Sequence, residues 1–182
     1  MYFSLARQAE FTSAALTSLA AVSSASLSAV DVFIIPDFLN IRPTADSLAA
    51  ALADSGVRIV EVGHAERRRL FGEDDAECRV QVDAVMAGLP SEDAEVVLAY
   101  EPVWAIGAAQ PAGEEHVLAV VAGIRDLESV KGRRGLTRVV YGGSAGPGLY
   151  DKLKSGLDGL FLGRFGHDPQ QFAKTVQEVA EA

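Results

Sequence analysis

Polar side chains and glycine-rich turns that could do chemistry follow several of the apolar runs in this sequence. They are His64, Glu101, the Gly-Gly-Ser segment 142–144 and the pair Gly163-Arg164. Carboxylates and imidazoles are the side chains that most often transfer protons in enzymes. Glycine-rich turns can bind an oxyanion through their backbone N–H groups. These residue types could form a site for proton transfer or for binding an oxyanion.

Glu101 follows the β-branched run 95–100 and precedes Pro102. Such a carboxylate is either a solvated turn residue or a general base at the end of a buried strand. The next segment, 102–110, consists mostly of small residues around Trp104, the one tryptophan of the sequence. A segment of this composition can close over a substrate as a lid, so Glu101 is the first candidate for a catalytic base.

The other candidates also have structural alternatives. His64 is either a catalytic imidazole or a histidine satisfied in the core. The basic run 67–69 is either the solvated start of a helix or an anion site, and Arg164 is either a cation for the substrate or a solvent-facing arginine. The glycine patterns of dinucleotide-binding and Walker-type loops do not occur in the sequence, which argues against those cofactor sites.

The composition is that of a globular protein with one sizeable core. The chain has 182 residues, of which 49% are hydrophobic and 23% charged, so a single domain over residues 1–182 is expected. A net charge of −9 argues against a nucleic-acid partner. Cys78 is the single cysteine, no zinc-type spacing occurs, and no apolar run is long enough to cross a membrane, so a cytoplasmic protein without a metal is expected.

Apolar runs alternate with segments of helical periodicity along the chain. Runs that are apolar on both faces and alternate with helices predict a parallel sheet covered by helices, so the fold class is α/β. The polar residues named above then lie at the carboxyl ends of strands, where such folds place their active sites. The predicted strands are 30–36, 57–63, 95–100, 137–143 and 157–163, and the predicted helices are 5–22, 44–56, 75–88, 114–128, 148–155 and 169–182.

Three stretches carry a resemblance to a known family. The segments AYEPVWAIG (99–107), GHAERR (63–68) and YGGSAG (141–146) closely resemble the signatures of triosephosphate isomerase, and DGLFLG (158–163) extends the match. The resemblance implies a (β/α)8 TIM barrel and an isomerase of phosphorylated sugars that needs no cofactor. The substrate pair would be dihydroxyacetone phosphate and glyceraldehyde 3-phosphate, and the protein would be a homodimer.

The resemblance also implies roles for individual residues. Glu101 would move a proton between two carbons of the sugar, through an enediolate. His64 would polarise the carbonyl as a neutral imidazole, and Glu66 would support the site from behind it. Triosephosphate isomerase is itself the standard example of this chemistry, in which a carboxylate base, a neutral histidine and loop closure act together, so the mechanism is carried over from the family.

Phosphate binding is implied for a second group of residues. The segment 102–110 resembles the closing lid of the family, in which the backbone N–H of Gly107 reaches the phosphate. Ser144 and Gly163 resemble the remaining phosphate donors. Arg164 stands where the family usually has a second glycine, and it is the one candidate to supply positive charge near the phosphate.

The sequence departs from the family in the number of strands. Only five of the eight strand units of a barrel are recognisable, and the apparent joins lie before Met1, near 56–59 and near 76–79. Strand one of the family ends in an asparagine and a lysine that contact the substrate, and both have no counterpart here. Either the polypeptide is longer than this chain, or it is shortened and stabilised by association, or it is a degenerate remnant.

Substitutions around the expected substrate open two alternatives to the three-carbon reaction. Ala65 replaces the serine that usually follows the histidine, and residues 108–110 (Ala-Ala-Gln) replace a Thr-Gly-Lys at the end of the lid. These changes are compatible with a paralogous isomerase that takes a four-carbon ketose phosphate of the erythrulose phosphate type. They are also compatible with a phosphate-binding protein without catalytic activity.

Overall fold

The computed structural model describes residues 5–32, 82–83, 86–87, 92–93 and 95–182. The chain divides into two compact units, residues 1–61 with 165–182 and residues 62–164, which are taken separately below. The prediction of a single domain over residues 1–182 stays a prediction. The described helices are α1 (Leu5–Leu19), α2 (Ser24–Ser28), α3 (Glu114–Arg125), α4 (Glu128–Lys131), α5 (Tyr150–Leu153) and α6 (Pro169–Glu181). The described strands are β1 (Val96–Tyr100), β2 (Thr137–Tyr141) and β3 (Gly159–Leu160).

The three described strands form one parallel sheet in the order β1-β2-β3. Val96 pairs with Thr137 and Tyr100 with Tyr141, so the carboxyl ends of β1 and β2 lie level with each other. Strand β1 is an apolar run, and β2 is apolar from Val139 to Tyr141, which suits a parallel sheet covered by helices. The prediction of a parallel α/β fold is confirmed for the described strands.

Apolar side chains of β2 and the helices form the core of this unit. Val139 and Tyr141 of β2 are fully buried, as are Val117 and Val121 one turn apart on α3 and Leu153 of α5. Residues four apart on a helix lie on the same face, so the two valines present one apolar stripe to the rest of the unit. The core therefore fixes the strands whose ends carry the candidate site.

Asp158 braces the start of β3 against β2. Its carboxylate accepts a hydrogen bond from the backbone N–H of Val139 and one from Arg125 Nη2, both at 2.6 Å. The Arg125 guanidinium also donates to the carbonyl of Gly156, at 3.1 Å from Nη2. The end of α3 and the residues just before β3 are thus tied together by charge-assisted hydrogen bonds.

The other unit is helical in its described part. Helix α6 contacts both α1 and α2, and Phe11, Ala15, Phe172 and Val176 are buried. Helix α6 begins where the Asp168 carboxylate accepts backbone hydrogen bonds from the first turn, which is the usual capping arrangement.

Most predicted boundaries in the described residues lie within two residues of the observed ones, and three elements differ by three residues at one end. Helix α1 ends at Leu19 rather than at residue 22, and the short α2 follows it. The helix predicted for 114–128 ends at Arg125, because the chain turns at Asp126 before α4. The strand predicted for 157–163 is reduced to Gly159–Leu160, although Phe161 N still donates to Tyr141 O at 2.9 Å.

Several predicted elements lie outside the described residues. These are the strand 57–63, the helix 44–56 and residues 33–36 of the first predicted strand, whose residues 30–32 are irregular; of the helix 75–88, residues 82–83 and 86–87 are described and are helical. Within the described part of the chain, no helix has the length and apolar character needed to cross a membrane.

Candidate active site

The Glu101 side chain lies across the backbone of Gly142. Glu101 directly follows β1, and Gly142 directly follows β2. A Cβ atom placed on Gly142 would stand 2.5 Å from Glu101 Oε1 and 2.6 Å from Glu101 Cγ. The backbone N–H of Gly142 donates to the carbonyl of Tyr100 at 3.0 Å, which holds the two strand ends together. Position 142 must therefore be glycine for the carboxylate to keep this place.

The segment that follows Glu101, residues 102–110, is called the lid segment below. Pro102 is fully buried, and residues Val103–Ala105 form a 3-10 turn whose Ala105 is also fully buried. Trp104 of the same turn is 57% exposed. Gly107 has a φ of +75°, a conformation that favours glycine. The lid segment is thus anchored by small residues on one side and presents a large aromatic side chain on the other.

Two side chains from the ends of β2 and β3 contact carbonyls of the lid segment. Ser144 Oγ lies 2.7 Å from the carbonyl oxygen of Ala105 and 3.0 Å from that of Ala108, so its single hydrogen is shared between them. Arg164 Nη2 donates to the Ala108 carbonyl at 2.7 Å. The loops after all three described strands therefore meet at the lid segment.

Arg164 was expected to contact an anion, and the observed contact with Ala108 was not predicted. A guanidinium carries five N–H donors, so the bond from Nη2 is compatible with an anion contact through the other nitrogens. Arg164 is exposed, as the alternative of a solvent-facing arginine predicts. Its guanidinium nevertheless forms a hydrogen bond with the lid segment.

Tyr141 fixes the chain just beyond the lid segment. Its buried hydroxyl accepts a hydrogen bond from the backbone N–H of Ala112 at 2.8 Å. Burial raises the pKa of the Tyr141 phenol, while the Ala112 hydrogen bond acts in the opposite direction. The phenol oxygen also occupies the space that a side chain at Gly143 would need. Sequence reasoning missed this contact, because no local pattern links residues 29 positions apart.

The structure places five of the predicted site residues at one edge of the sheet. Glu101, Gly107, Ser144, Gly163 and Arg164 all belong to the loops after the carboxyl ends of β1, β2 and β3. Gly163 is exposed, and a Cβ atom there would have no neighbour within 4 Å.

His64 and Glu66 lie outside the described residues. The approach of the imidazole to Glu101 therefore stays a prediction. So do the individual chemical roles assigned to the other site residues.

The fold and this edge together define a class. A parallel α/β sheet with polar residues and glycine turns at the carboxyl ends of its strands is consistent with a (β/α)8 barrel, a fold that places its active sites at this edge. The sequence model of the family described as triosephosphate isomerase matches residues 43–88 and 75–179 of the chain. The chain belongs to the triosephosphate isomerase family.

Three relatives illustrate the range of the family. L-erythrulose-1-phosphate isomerase of Pectobacterium atrosepticum is 34% identical over 171 residues, which cover 75% of this chain and 66% of the relative. The probable triosephosphate isomerase 2 of Listeria monocytogenes is 27% identical, covering 84% of this chain and 85% of the relative. Triosephosphate isomerase of Rhodopirellula baltica is 31% identical, covering 76% of this chain and 70% of the relative.

The alignments also bear on the missing strand units. The alignment with the Listeria protein runs over 215 residues, more than the 182 of this chain. That relative therefore contains segments without a counterpart here, as the count of five strand units predicts. The matched part of the chain spans about two thirds of the length of the Pectobacterium relative.

Proposed function

We propose that the chain is an isomerase that moves a proton between neighbouring carbons of a small phosphorylated sugar. The observation that carries this proposal is the position of the Glu101 carboxylate, which lies over Gly142 at the carboxyl ends of two adjacent strands. The lid segment follows Glu101 directly and is contacted by Ser144 from the loop after β2. A base at this place is partly buried and can be covered by the lid segment, which excludes water during proton transfer. Dihydroxyacetone phosphate and glyceraldehyde 3-phosphate are the proposed substrate pair.

In the proposed reaction Glu101 takes a proton from the carbon next to the substrate carbonyl. The electron pair of the broken C–H bond forms a C=C bond, and the carbonyl electrons move to oxygen, giving an enediolate. Glu101 then returns the proton to the former carbonyl carbon. The carbon that first lost its proton becomes the new carbonyl, as its hydroxyl proton passes to the other oxygen. No electrons leave the substrate, so the reaction needs no redox cofactor. His64, supported by Glu66, is proposed to stabilise the developing oxyanion as a hydrogen-bond donor.

The phosphate is proposed to bind where the three loops meet. The backbone N–H groups of Gly107 and Gly163 and the Ser144 turn supply donors, and Arg164 supplies the positive charge. Local donors matter here, because a chain of net charge −9 repels an anion at long range. The contact of Arg164 with Ala108 keeps the guanidinium at the lid segment, so binding of the phosphate and closure of the segment are coupled through one side chain.

A four-carbon ketose phosphate is the second candidate substrate. The relative from Pectobacterium that is named for L-erythrulose 1-phosphate is 34% identical to this chain, and the relatives from Listeria and Rhodopirellula that are named for triosephosphate isomerase are 27% and 31% identical. The small residues Ala65 and Ala108 stand where the family usually has hydroxyl side chains, which supports a different set of substrate contacts.

The proposed function is tested with the purified chain. Coupled assays compare turnover of the triose phosphates with turnover of L-erythrulose 1-phosphate, and calorimetry measures binding of phosphoglycolate, an anion that resembles the enediolate. Turnover of either sugar that is lost in Glu101→Gln supports an isomerase and identifies the substrate. Binding of phosphoglycolate without any turnover would instead show a phosphate-binding protein and contradict the proposal.

A further inference from the structure

The His116 imidazole contacts residues on both sides of Glu101 in the chain. Its Nε2 lies 2.9 Å from the hydroxyl of Tyr100, the residue before Glu101. Its ring centroid lies 5.5 Å from that of Trp104, three residues after Glu101, with the two rings tilted by 59°. One side chain from outside the lid segment therefore joins the end of β1 to the first turn of the lid segment.

His116 lies on helix α3, which is packed firmly against the core. It belongs to the first turn of α3, and the next residue, Val117, is fully buried, as is Val121 one turn later. Tyr100 is only 3% exposed, so the hydroxyl that meets the imidazole is fixed by the sheet. Trp104 is 57% exposed and has a less complete packing environment. Of the three side chains, the tryptophan therefore depends most on the imidazole for its position.

From this geometry we infer that His116 is a positioning residue, which holds the first turn of the lid segment and through it the Glu101 carboxylate. The Tyr100 bond sets the orientation of the imidazole, and the tilted ring pair, a favoured aromatic geometry, sets the position of Trp104. A neutral imidazole has one donor and one acceptor nitrogen and a phenol can play either part, so the bond forms in either direction. The catalytic consequence rests on the proposed function, whereas the effect on Trp104 does not.

The experiment uses the single tryptophan of the sequence as its reporter. His116→Ala removes both contacts, and His116→Phe keeps a ring beside Trp104 but removes the hydrogen bond. Tyr100→Phe removes the same bond from the other side. Glu115→Ala, an exposed neighbour in the same turn, is the matched control. Far-UV circular dichroism shows that each variant is folded.

The fluorescence of Trp104 is expected to change when its support is removed. Acrylamide quenches Trp104 more steeply in His116→Ala than in the parent, and the emission anisotropy falls. The two phenylalanine variants agree with each other and lie between the parent and His116→Ala, while the control matches the parent. Unchanged quenching and anisotropy in His116→Ala overturn the inference, whether or not the parent turns over a sugar.

In a parent that is active, His116→Ala lowers kcat by about 10-fold to 100-fold with a smaller change in KM, because the carboxylate loses its alignment. An unchanged kcat in the folded variant contradicts the positioning role. A parent without turnover, in which His116→Ala still alters the fluorescence, counts against the proposed function and leaves the positioning of the lid segment supported.

Discussion

The interior of the strand-containing unit and the edge at the carboxyl ends of its strands are held by different forces. In the interior, Val121, Val139 and Leu153 are fully buried among apolar neighbours. At the edge, Glu101 lies on a glycine, and Ser144 and Arg164 bind backbone carbonyls. Apolar packing depends on volume and tolerates exchange of similar side chains, whereas the edge depends on individual atoms.

Because of this difference, we expect mutations in the interior to change stability and mutations at the edge to change activity. A change in the interior removes buried area and alters the free energy of unfolding. A change at the edge leaves the core intact and moves a few polar atoms, so it affects the activity that those atoms support. Four substitutions test how complete this separation is.

Replacement of the carboxylate has the largest expected effect. Glu101→Gln removes the proposed base and keeps its shape, so kcat is expected to fall by about 10²-fold to 10⁴-fold, the usual contribution of general base catalysis. The midpoint of urea denaturation is expected to change little, since the side chain is only partly buried. Steady-state assays measure the first effect, and near-full turnover in the variant would falsify the role of Glu101.

Leu153→Ala tests the interior. The side chain is fully buried, so its truncation is expected to lower the free energy of unfolding by about 2–5 kcal/mol. Leu136→Ala is the matched control, because Leu136 is 55% exposed and the same change there is expected to stay within about 0.5 kcal/mol. Urea denaturation followed by circular dichroism measures both. Equal losses in the two variants would mean that Leu153 does not belong to the core.

Gly142→Ala tests the edge without touching the carboxylate itself. The added methyl would stand 2.5 Å from Glu101 Oε1 and 2.6 Å from Glu101 Cγ, so the Glu101 side chain would have to move. We expect kcat to fall by about 10²-fold, as for a catalytic group displaced by about 1 Å. Gly123→Ala is the control, because Gly123 is exposed on α3 and its methyl would meet no atom within 4 Å. Matching activities in the two alanine variants would show that the carboxylate does not depend on Gly142.

Asp158→Ala has the smallest expected effect and tests the brace between β2 and β3. It removes the acceptor of the Val139 N–H and the partner of Arg125. Because the Asp158 carboxylate is partly exposed, a loss of about 1–2 kcal/mol in the free energy of unfolding is expected, below the full value for a buried charged partner. The exposed ion pair of Arg7 and Glu10 is the control, and Glu10→Ala is expected to change the free energy of unfolding by less than about 0.5 kcal/mol. Equal losses in Asp158→Ala and Glu10→Ala, measured by urea denaturation, would argue against the brace.

Much of the described fold follows from sequence periodicity. Strand β1 is a continuous apolar run, β2 is apolar over its last three residues, and α1 and α6 have apolar residues at helical spacing, so each was predictable from local pattern. Helix α2 was missed, because it has five residues and no apolar stripe, although Ser23 caps it by accepting from Ser26 N at 3.0 Å. The serine before this helix is a favoured capping residue, a signal that the spacing of apolar residues does not show.

The candidate site was predictable in its residues and not in its contacts. Glu101, Ser144 and Arg164 were found because chemically able residues follow strands in a parallel fold. The contacts of Ser144 and Arg164 with the lid segment join residues 36 to 56 positions apart, which no local pattern encodes. The place of His116 was equally hidden, since its helical period indicates only an exposed residue at a helix start.

Ser144 combines a hydroxyl that contacts the lid segment with an unfavourable backbone. Its φ of 54° makes it the one described residue other than glycine with a positive φ, a conformation that typically costs about 1 kcal/mol or more. Directed evolution for heat resistance, with no requirement for turnover, is therefore expected to enrich glycine at position 144. Adding a requirement for growth on the substrate should restore the serine, so the two sequence pools would diverge at this codon.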